Sequence, residues 1–412
     1  MASKREFRYT DSDNPSYHSA SIDKLITGTR IPFDVFIKEG DKIRHLFNKG
    51  MVYASYTRDV LRGKKITTFY VNDQDENILE NYLGNPLLHK IQDDEDSLLF
   101  REYSHEKENY HQIDGKVLIP GTSINFNLHL LYGFNFSILS EATEKNPLPI
   151  DKIISSSDGD LMIKKSDIPL FNSYLQSLMT KPAEAGFKAL AIRENSKLIM
   201  EELLENPRSG EAIKKSHDMV NHIVDTILES NDAVYDLLDI SKYDFYTYTH
   251  SVNVAVMSIG LANAIHLERK EIEKLGLGAM LHDIGKSNVP SEVLNKQGKL
   301  TSTEYQIIQS HVVEGEKILR EHRHIPEESF PAVTQHHEKL TGKGYPLGLD
   351  NKKISLFGRI TAVADCYDAL TTPRPYKPAF TPFYALSILV KEKQDFDCEL
   401  LKEFIGMLGK VR

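Results

Sequence analysis

The sequence predicts an α+β chain of several domains: a β-rich or α+β, internally duplicated N-terminal region, then an all-α C-terminal domain. Three observations predict it. The chain has 412 residues, room for two or three domains. Its first part carries one strand-forming motif twice. From residue 211 onward the apolar residues recur at helical spacing.

Residues 1–20 are polar and read as a flexible tail. The motif is then met as Leu25-Ile26-Thr27-Gly28-Thr29-Arg30-Ile31-Pro32-Phe33-Asp34-Val35. It returns as Leu118-Ile119-Pro120-Gly121-Thr122-Ser123-Ile124-Asn125-Phe126-Asn127-Leu128. Both read Leu-Ile-x-Gly-Thr-x-Ile-x-Phe-x-aliphatic, the alternation of a half-buried strand. Each copy reaches an extended run, Thr68-Phe69-Tyr70-Val71 or Asp160-Leu161-Met162-Ile163. Each closes on a helical end, Asn81-Tyr82-Leu83 or Ser173-Tyr174-Leu175. A spacing of roughly 93 residues relates the copies, as a duplication would within residues 21–180. His105, His111 and His129 are scattered there and form no catalytic cluster. A paired acidic cluster after a strand, with a following βα repeat, is missing, which counts against a phosphoacceptor receiver. A sensory, docking or dimerising role remains, so a homodimer or a signalling partner is the expected use of this region.

Pro182 and Pro207 bracket a helical stretch, Ala183 to Leu204, with Phe187, Leu190, Glu194, Leu198 and Leu203 near one face. Residues 181–210 read as a connector helix; a packing helix of the C-terminal domain is the alternative. Beyond it, Met219, Val220, Ile223, Val224, Ile227 and Leu228 form an amphipathic stripe.

The bulk numbers narrow the function. Apolar residues make up 40% and charged residues 26%, as in a soluble globular protein. The net charge of −9 argues against a nucleic-acid-binding surface, so a nucleotide would need a local basic pocket. Two cysteines, Cys366 and Cys398, are too few for a disulfide framework. No stretch approaches the ~20 apolar residues of a membrane span, and no apolar run follows the N-terminus. A cytoplasmic location is expected.

The chemistry sits between Met280 and Pro375. Leu281-His282-Asp283-Ile284-Gly285-Lys286 comes first, then His311, then His336-His337-Glu338. Gly342-Lys343-Gly344-Tyr345-Pro346 and Val363-Ala364-Asp365 follow, and His250 lies upstream. Imidazole and carboxylate together suit first-row transition metals. His282-Asp283 is read at the end of a helix Ile272–Ile284 closed by Gly285. Neighbours on a helix point about 100° apart. They chelate one ion poorly but can serve two, with Asp283 bridging.

The ordered set, HDIGK, Gly298-Lys299-Leu300-Thr301, His311, HHEKLTGKGYP and the tail Val363 to Tyr376, resembles the HD-GYP family of HD phosphohydrolases over roughly residues 215–405. His217-Asp218, without that context, reads as a solvated pair. The resemblance implies an HD-type helical fold for residues 211–412 and a binuclear site. His250, His282 and Asp365 would serve one metal with Asp283, and His311, His336 and His337 the other. Iron is the first choice of metal, with manganese, nickel or zinc as alternatives. Some members carry a glutamate one turn before the first histidine that helps hold a third metal. Tyr246 stands there in this chain, and Asp244 is out of phase to replace it, so two divalent ions are expected.

The resemblance also implies hydrolysis of cyclic di-GMP to pGpG, and onward to GMP in some members; others prefer cyclic GMP-AMP. Two ions a few ångströms apart can share a water and lower its pKa. Asp283 and Lys286 are the expected catalytic residues, with Lys286 also binding phosphate. Tyr345, Asp368, Arg374 and Lys377 are the expected substrate contacts: Tyr345 a flat face for a base, Asp368 an acceptor for a guanine edge or a support to the metals, Arg374 and Lys377 a phosphate clamp. Glu338 is expected to steady an imidazole or cap the following loop. A non-catalytic cyclic dinucleotide sensor, or an HD hydrolase of another nucleotide, is the competing reading.

Overall fold

The computed structural model describes residues 10–11, 17–39, 42–63, 65–92, 104–132, 135–150, 160–180, 185–230, 232–238, 246–296, 298–372 and 379–409. These fall into two units, Met1–Ser177 and Leu178–Arg412.

The first unit is built from two antiparallel sheets of like order. β1 (Tyr17–Ser21), β2 (Val35–Glu39), β3 (Lys42–Phe47) and β4 (Thr68–Asn72) lie in the order β3-β2-β4-β1, with Thr10–Asp11 on the outer edge of β3. β5 (Tyr110–Gln112), β6 (Leu128–Tyr132), β7 (Asn135–Ser140) and β8 (Asp160–Lys164) lie in the order β7-β6-β8-β5. β1 belongs to the stretch whose beginning reads as a flexible tail; it pairs residue for residue with β4, Tyr17 opposite Asn72. Each half also has a two-stranded ribbon, Thr29–Arg30 with Val52–Tyr53 and Ser123–Ile124 with Leu148–Pro149. Helix α1 (Ser55–Gly63) precedes β4; α2 (Glu76–Gly84) and α3 (Ile168–Thr180) follow β4 and β8.

The repeated motif makes the same local structure in both halves. The Tyr82 hydroxyl accepts from Ile26 N at 3.1 Å and meets Thr29 Oγ1 at 2.7 Å. The Tyr174 hydroxyl accepts from Ile119 N at 3.0 Å and meets Thr122 Oγ1 at 3.0 Å. Each threonine also donates to the carbonyl three residues back, Ile26 or Ile119. Beneath these bonds Phe33 packs edge-on against Tyr82, and Phe126 edge-on against Tyr174. All four rings are buried, and a fully buried aromatic contributes about 1.5–3 kcal/mol.

The second unit is helical. α4 (Ala185–Glu205) covers the stretch that reads as a connector; it packs on α5 (Gly210–Glu229), α6 (Ala233–Leu238) and α7 (Tyr246–Ala264). Ser209 caps α5 by accepting from Ala212 N, and the expected apolar stripe faces inward except for Leu228, which is exposed. α7 is buried on every side from Val252 to Ala262, which makes it the central helix of the unit. α8 (Arg269–Leu281) lies against it, opened by a capping box between Glu268 and Glu271. Around them follow α9 (Ser291–Leu294), α10 (Ser302–Gln309), α11 (His311–Arg320), α12 (Phe330–Thr334), α13 (Leu356–Thr371), α14 (Pro382–Lys391) and α15 (Cys398–Leu408). Among the described residues no helix is long and apolar enough to cross a membrane.

Candidate metal centre

Four helices and two turns bring the ligand-type residues together at the heart of the second unit. α7 carries His250, five residues into the helix. α8 ends at Leu281, so His282 is its cap and Asp283 opens a short 3-10 turn, Ile284–Asn288. The helix thus ends earlier than the expected Ile284, and Gly285 does not end it through a left-handed backbone. Gly285 has a different use: a Cβ there would fall 1.9 Å from the His311 carbonyl oxygen and 2.5 Å from Gly315 N. Only glycine lets this turn pack directly on the backbone of α11, which sets Asp283 beside His311. His336 and His337 follow α12, and α13, packed on α7, supplies Asp365 and Asp368.

The donor atoms form two groups. His250, His282 and Asp283 make one; His311, His336 and His337 make the other; within each, one ligand atom per residue lies within 4.8 Å of the rest. Asp283 spans them. Its Oδ2 lies 3.4 Å from both His250 Nε2 and His282 Nε2. Its Oδ1 lies 3.3 Å from His311 Nε2 and 4.0 Å from His336 Nε2. Asp365 also reaches both, with Oδ1 3.1 Å from His250 Nε2 and Oδ2 3.7 Å from His337 Nδ1. The grouping is the one the resemblance implies, with Asp365 shared more evenly than expected.

The imidazoles are oriented by their outer nitrogens. Nδ1 of His282, His311 and His336 lies on the carbonyl oxygens of Ala279, Ile308 and Val333, at 2.7, 2.6 and 2.8 Å. A carbonyl only accepts, so each Nδ1 carries a hydrogen, and in the neutral ring Nε2 offers a lone pair to the centre. Burial pushes His311 below, and His336 well below, the ordinary imidazole range, which keeps both neutral. His250 differs. Burial alone would lower it, but Asp283, Asp365 and Asp368 outweigh that and hold it well above the ordinary value. Burial would likewise raise Asp283, yet Lys286 and the surrounding imidazoles keep its carboxyl well below the usual range. A cation held among these carboxylates would take the place of the proton they hold on His250.

The residues fit a pair of metal ions. His311 Nε2 and His336 Nε2 face each other at 3.3 Å, two lone pairs that repel unless a cation lies near both. His282 Nε2 and Asp283 Oδ1 are buried without a hydrogen-bond partner. Buried polar atoms are rarely left so, and nitrogen with carboxylate oxygen is the donor set of first-row divalent ions.

Around this centre the other expected residues divide. Lys286 Nζ donates to Asp283 Oδ2 and is partly exposed. Asp368 is buried with both oxygens engaged: Oδ2 on His250 Nδ1 and Oδ1 on Asn253 Nδ2, each at 2.7 Å. Of the two roles expected of Asp368, guanine-edge acceptor or support to the metals, these bonds favour the support, orienting His250. Asn253 was missed by the sequence reading; its place one turn after His250 was the available signal. Arg374, Lys377 and Asp244 lie outside the described residues, as does the side chain of Tyr246.

The loop from Lys339 to Leu349 is fastened by carboxylates. Glu338 accepts from Leu347 N at 2.7 Å and Leu349 N at 2.8 Å, which makes it the loop's cap. Asp395, unremarked in the sequence, takes Lys339 Nζ and Thr341 Oγ1, both at 2.7 Å. Gly342 has φ +73°, but Gly344 is required for a different reason: a Cβ there would meet Lys339 N at 2.4 Å. Tyr345, held by a bond from its N to the His337 carbonyl at 3.1 Å, stacks on the His337 ring at 4.6 Å and 27°. Burial pushes its hydroxyl up, so it stays protonated.

Comparison with known proteins bears on this helical unit, which gathers histidines and aspartates in two groups. Residues 232–400 match the family model described as HD domain. The chain is 34% identical over 223 residues to a cyclic di-GMP phosphodiesterase of Pseudomonas aeruginosa, covering 54% of each protein. It is 27% identical to a cyclic di-GMP phosphodiesterase of Thermotoga maritima, over 63% of this chain and 68% of that one. It is 37% identical to a 3'3'-cGAMP-specific phosphodiesterase of Vibrio cholerae, over 39% of this chain and 31% of that one. The chain thus spans about half the length of the first of these relatives.

Proposed function

We propose that the helical unit is a metal-dependent phosphodiesterase that hydrolyses cyclic di-GMP to the linear pGpG, governed by the N-terminal unit. The observation that carries this is Asp283, whose two oxygens face two separate histidine groups. His250, His282, Asp283 and Asp365 would hold one divalent ion, and His311, His336, His337 and Asp283 the other, iron being first choice. Bound there, the ions would supply positive charge and an activated water for attack at phosphorus. Asp283 keeps both groups in register. Lys286, beside it and open to solvent on one side, offers its charge to the phosphoryl oxygens or the departing ribose oxygen. Tyr345 offers a ring face, and Arg374 and Lys377 complete the phosphate clamp on the strength of the resemblance. The names of the relatives favour a cyclic dinucleotide over a mononucleotide and divide between cyclic di-GMP and cyclic GMP-AMP.

In the same reading, residues 21–180 are a duplication and act as the control region. Support comes from the like strand order and from matched tyrosine-threonine bonds, Ile119 and Thr122 standing ninety-three residues after Ile26 and Thr29. The test of the catalytic reading is anaerobic purification, elemental analysis, and turnover of cyclic di-GMP, cyclic GMP-AMP and mononucleotides. Two equivalents of metal with turnover of cyclic di-GMP to pGpG is the expected result. Metal without turnover points to a sensor, and turnover of mononucleotides alone to a different hydrolase.

A further inference from the structure

Tyr305 stands at the outer wall of the centre, apart from the ligand set and the GYP loop. It lies on α10 and is 49% exposed, which is high for so large a ring. Its ring meets that of Tyr345 at 6.4 Å between centroids and 75° between planes. Tyr345 stacks in turn on His337, one of the ligand-type imidazoles. Three rings thus run from the metal centre outward.

The mount is firm on both sides. Thr301 accepts from Glu304 N at 3.2 Å while Glu304 accepts from Thr301 N at 2.7 Å, a closed capping box at the start of α10. Lys296 Nζ braces the same glutamate at 2.7 Å. Downstream, α10 passes through Ser310 into α11, whose first residue is His311. One short segment therefore fixes both Tyr305 and an imidazole of the centre, as recognition beside chemistry requires. The Gly298 to Thr301 motif thereby gains a physical role, since its last residue is the cap.

We propose that Tyr305 is a substrate-contact residue, which together with Tyr345 forms a two-walled aromatic corner for one base of a cyclic dinucleotide. A heteroaromatic plane lies flat on one ring and presents its edge to the other, the two arrangements that the charge distribution of aromatic rings favours. The contact acts in binding, remote from the scissile bond, so its loss is read in KM. The inference rests on the phosphodiesterase reading and names part of its base-recognition surface.

The experiment compares wild type, Tyr305→Ala and Tyr305→Phe of the metal-loaded 412-residue chain with cyclic di-GMP as substrate, and measures the metal content of each. Tyr305→Ala is expected to raise KM about tenfold or more, the size of one base-aromatic stack, with kcat and metal content unchanged. Tyr305→Phe is expected to keep the wild-type KM, because the ring and not the hydroxyl makes the contact. An unchanged KM in Tyr305→Ala, or a loss confined to kcat or to metal content, overturns the proposal. If wild type itself turns over no cyclic di-GMP, the phosphodiesterase reading has failed separately. Equilibrium binding of a fluorescent cyclic di-GMP then decides the contact: weaker binding by Tyr305→Ala supports it, and equal binding overturns it.

Discussion

The two units treat buried polar atoms in opposite ways. In the N-terminal unit the hydroxyls of Tyr82 and Tyr174 are each met by a threonine and a backbone N–H. In the helical unit, nitrogen lone pairs and carboxylate oxygens converge on one another at 3.1–4.0 Å. A polar group answered by its neighbours serves the fold. A cluster in which acceptors face acceptors costs stability unless a cation joins it, and so marks a site.

The sharpest way to break that comparison is Asp283→Ala. It removes the carboxylate whose two oxygens lie within 3.4 Å of three of the ligand-type imidazoles across both groups, so bound metal and phosphodiesterase activity should fall together to the assay floor. Elemental analysis and turnover on one preparation check it, and full activity in the variant would refute the site assignment. Asp368→Ala comes next. It should weaken metal binding or lower activity about 10–100-fold, as removal of an outer partner of a metal-ligating histidine does. Chelator competition measures this directly.

His129 is an exception inside the first unit. Its Nε2 is buried without a hydrogen-bond partner, and burial, with Lys164 nearby, pushes its pKa from 6.5 down to about 4. The unfolded chain therefore takes up the proton first as pH falls. Stability supplied by the neutral ring is whole above about pH 6.5 and is lost from there down to about 4, with about 2 kcal/mol gone at pH 5. Under the proposed duplication its counterpart is Phe36, ninety-three residues earlier. His129→Phe should flatten the difference between calorimetric melts at pH 7 and pH 5; an undiminished difference would place the titration elsewhere. The smallest effects belong to Tyr82→Phe and Tyr174→Phe. Each should cost about 1–2 kcal/mol through the partners it strands, more at Tyr174, whose hydroxyl also donates to the Val117 carbonyl at 2.9 Å, and without change in turnover. Equal costs would show that the Val117 bond adds nothing.

Much of the centre was legible because its residues are chemically specific. Histidine and aspartate in a fixed order announce metal ligation whatever the fold, and the helical period placed His282 and Asp283 at a helix end. The supports were less legible. Asp368 and Asn253 are ordinary polar residues whose meeting depends on α13 lying on α7, a packing fact with no local signature. Gly285 looked like a helix stop, and its service to the backbone of α11 becomes visible only when the two segments touch. The stretch at Ala185–Glu205 likewise left connector and packing roles open, because its apolar residues are compatible with either. In the first unit the repeated motif foretold two strand-rich halves; the strand order came from long-range pairing, as between β6 and β8, that alternation alone does not specify.

Three of the centre's imidazoles are steered by main-chain carbonyls, and no single codon change can delete a carbonyl. His250 answers instead to Asp368, which a single codon change can replace. Sequence drift can therefore adjust electron donation from His250 while His282, His311 and His336 keep their orientation. A lineage exploring new metals or new reaction rates has one convenient dial, and it is found on α13.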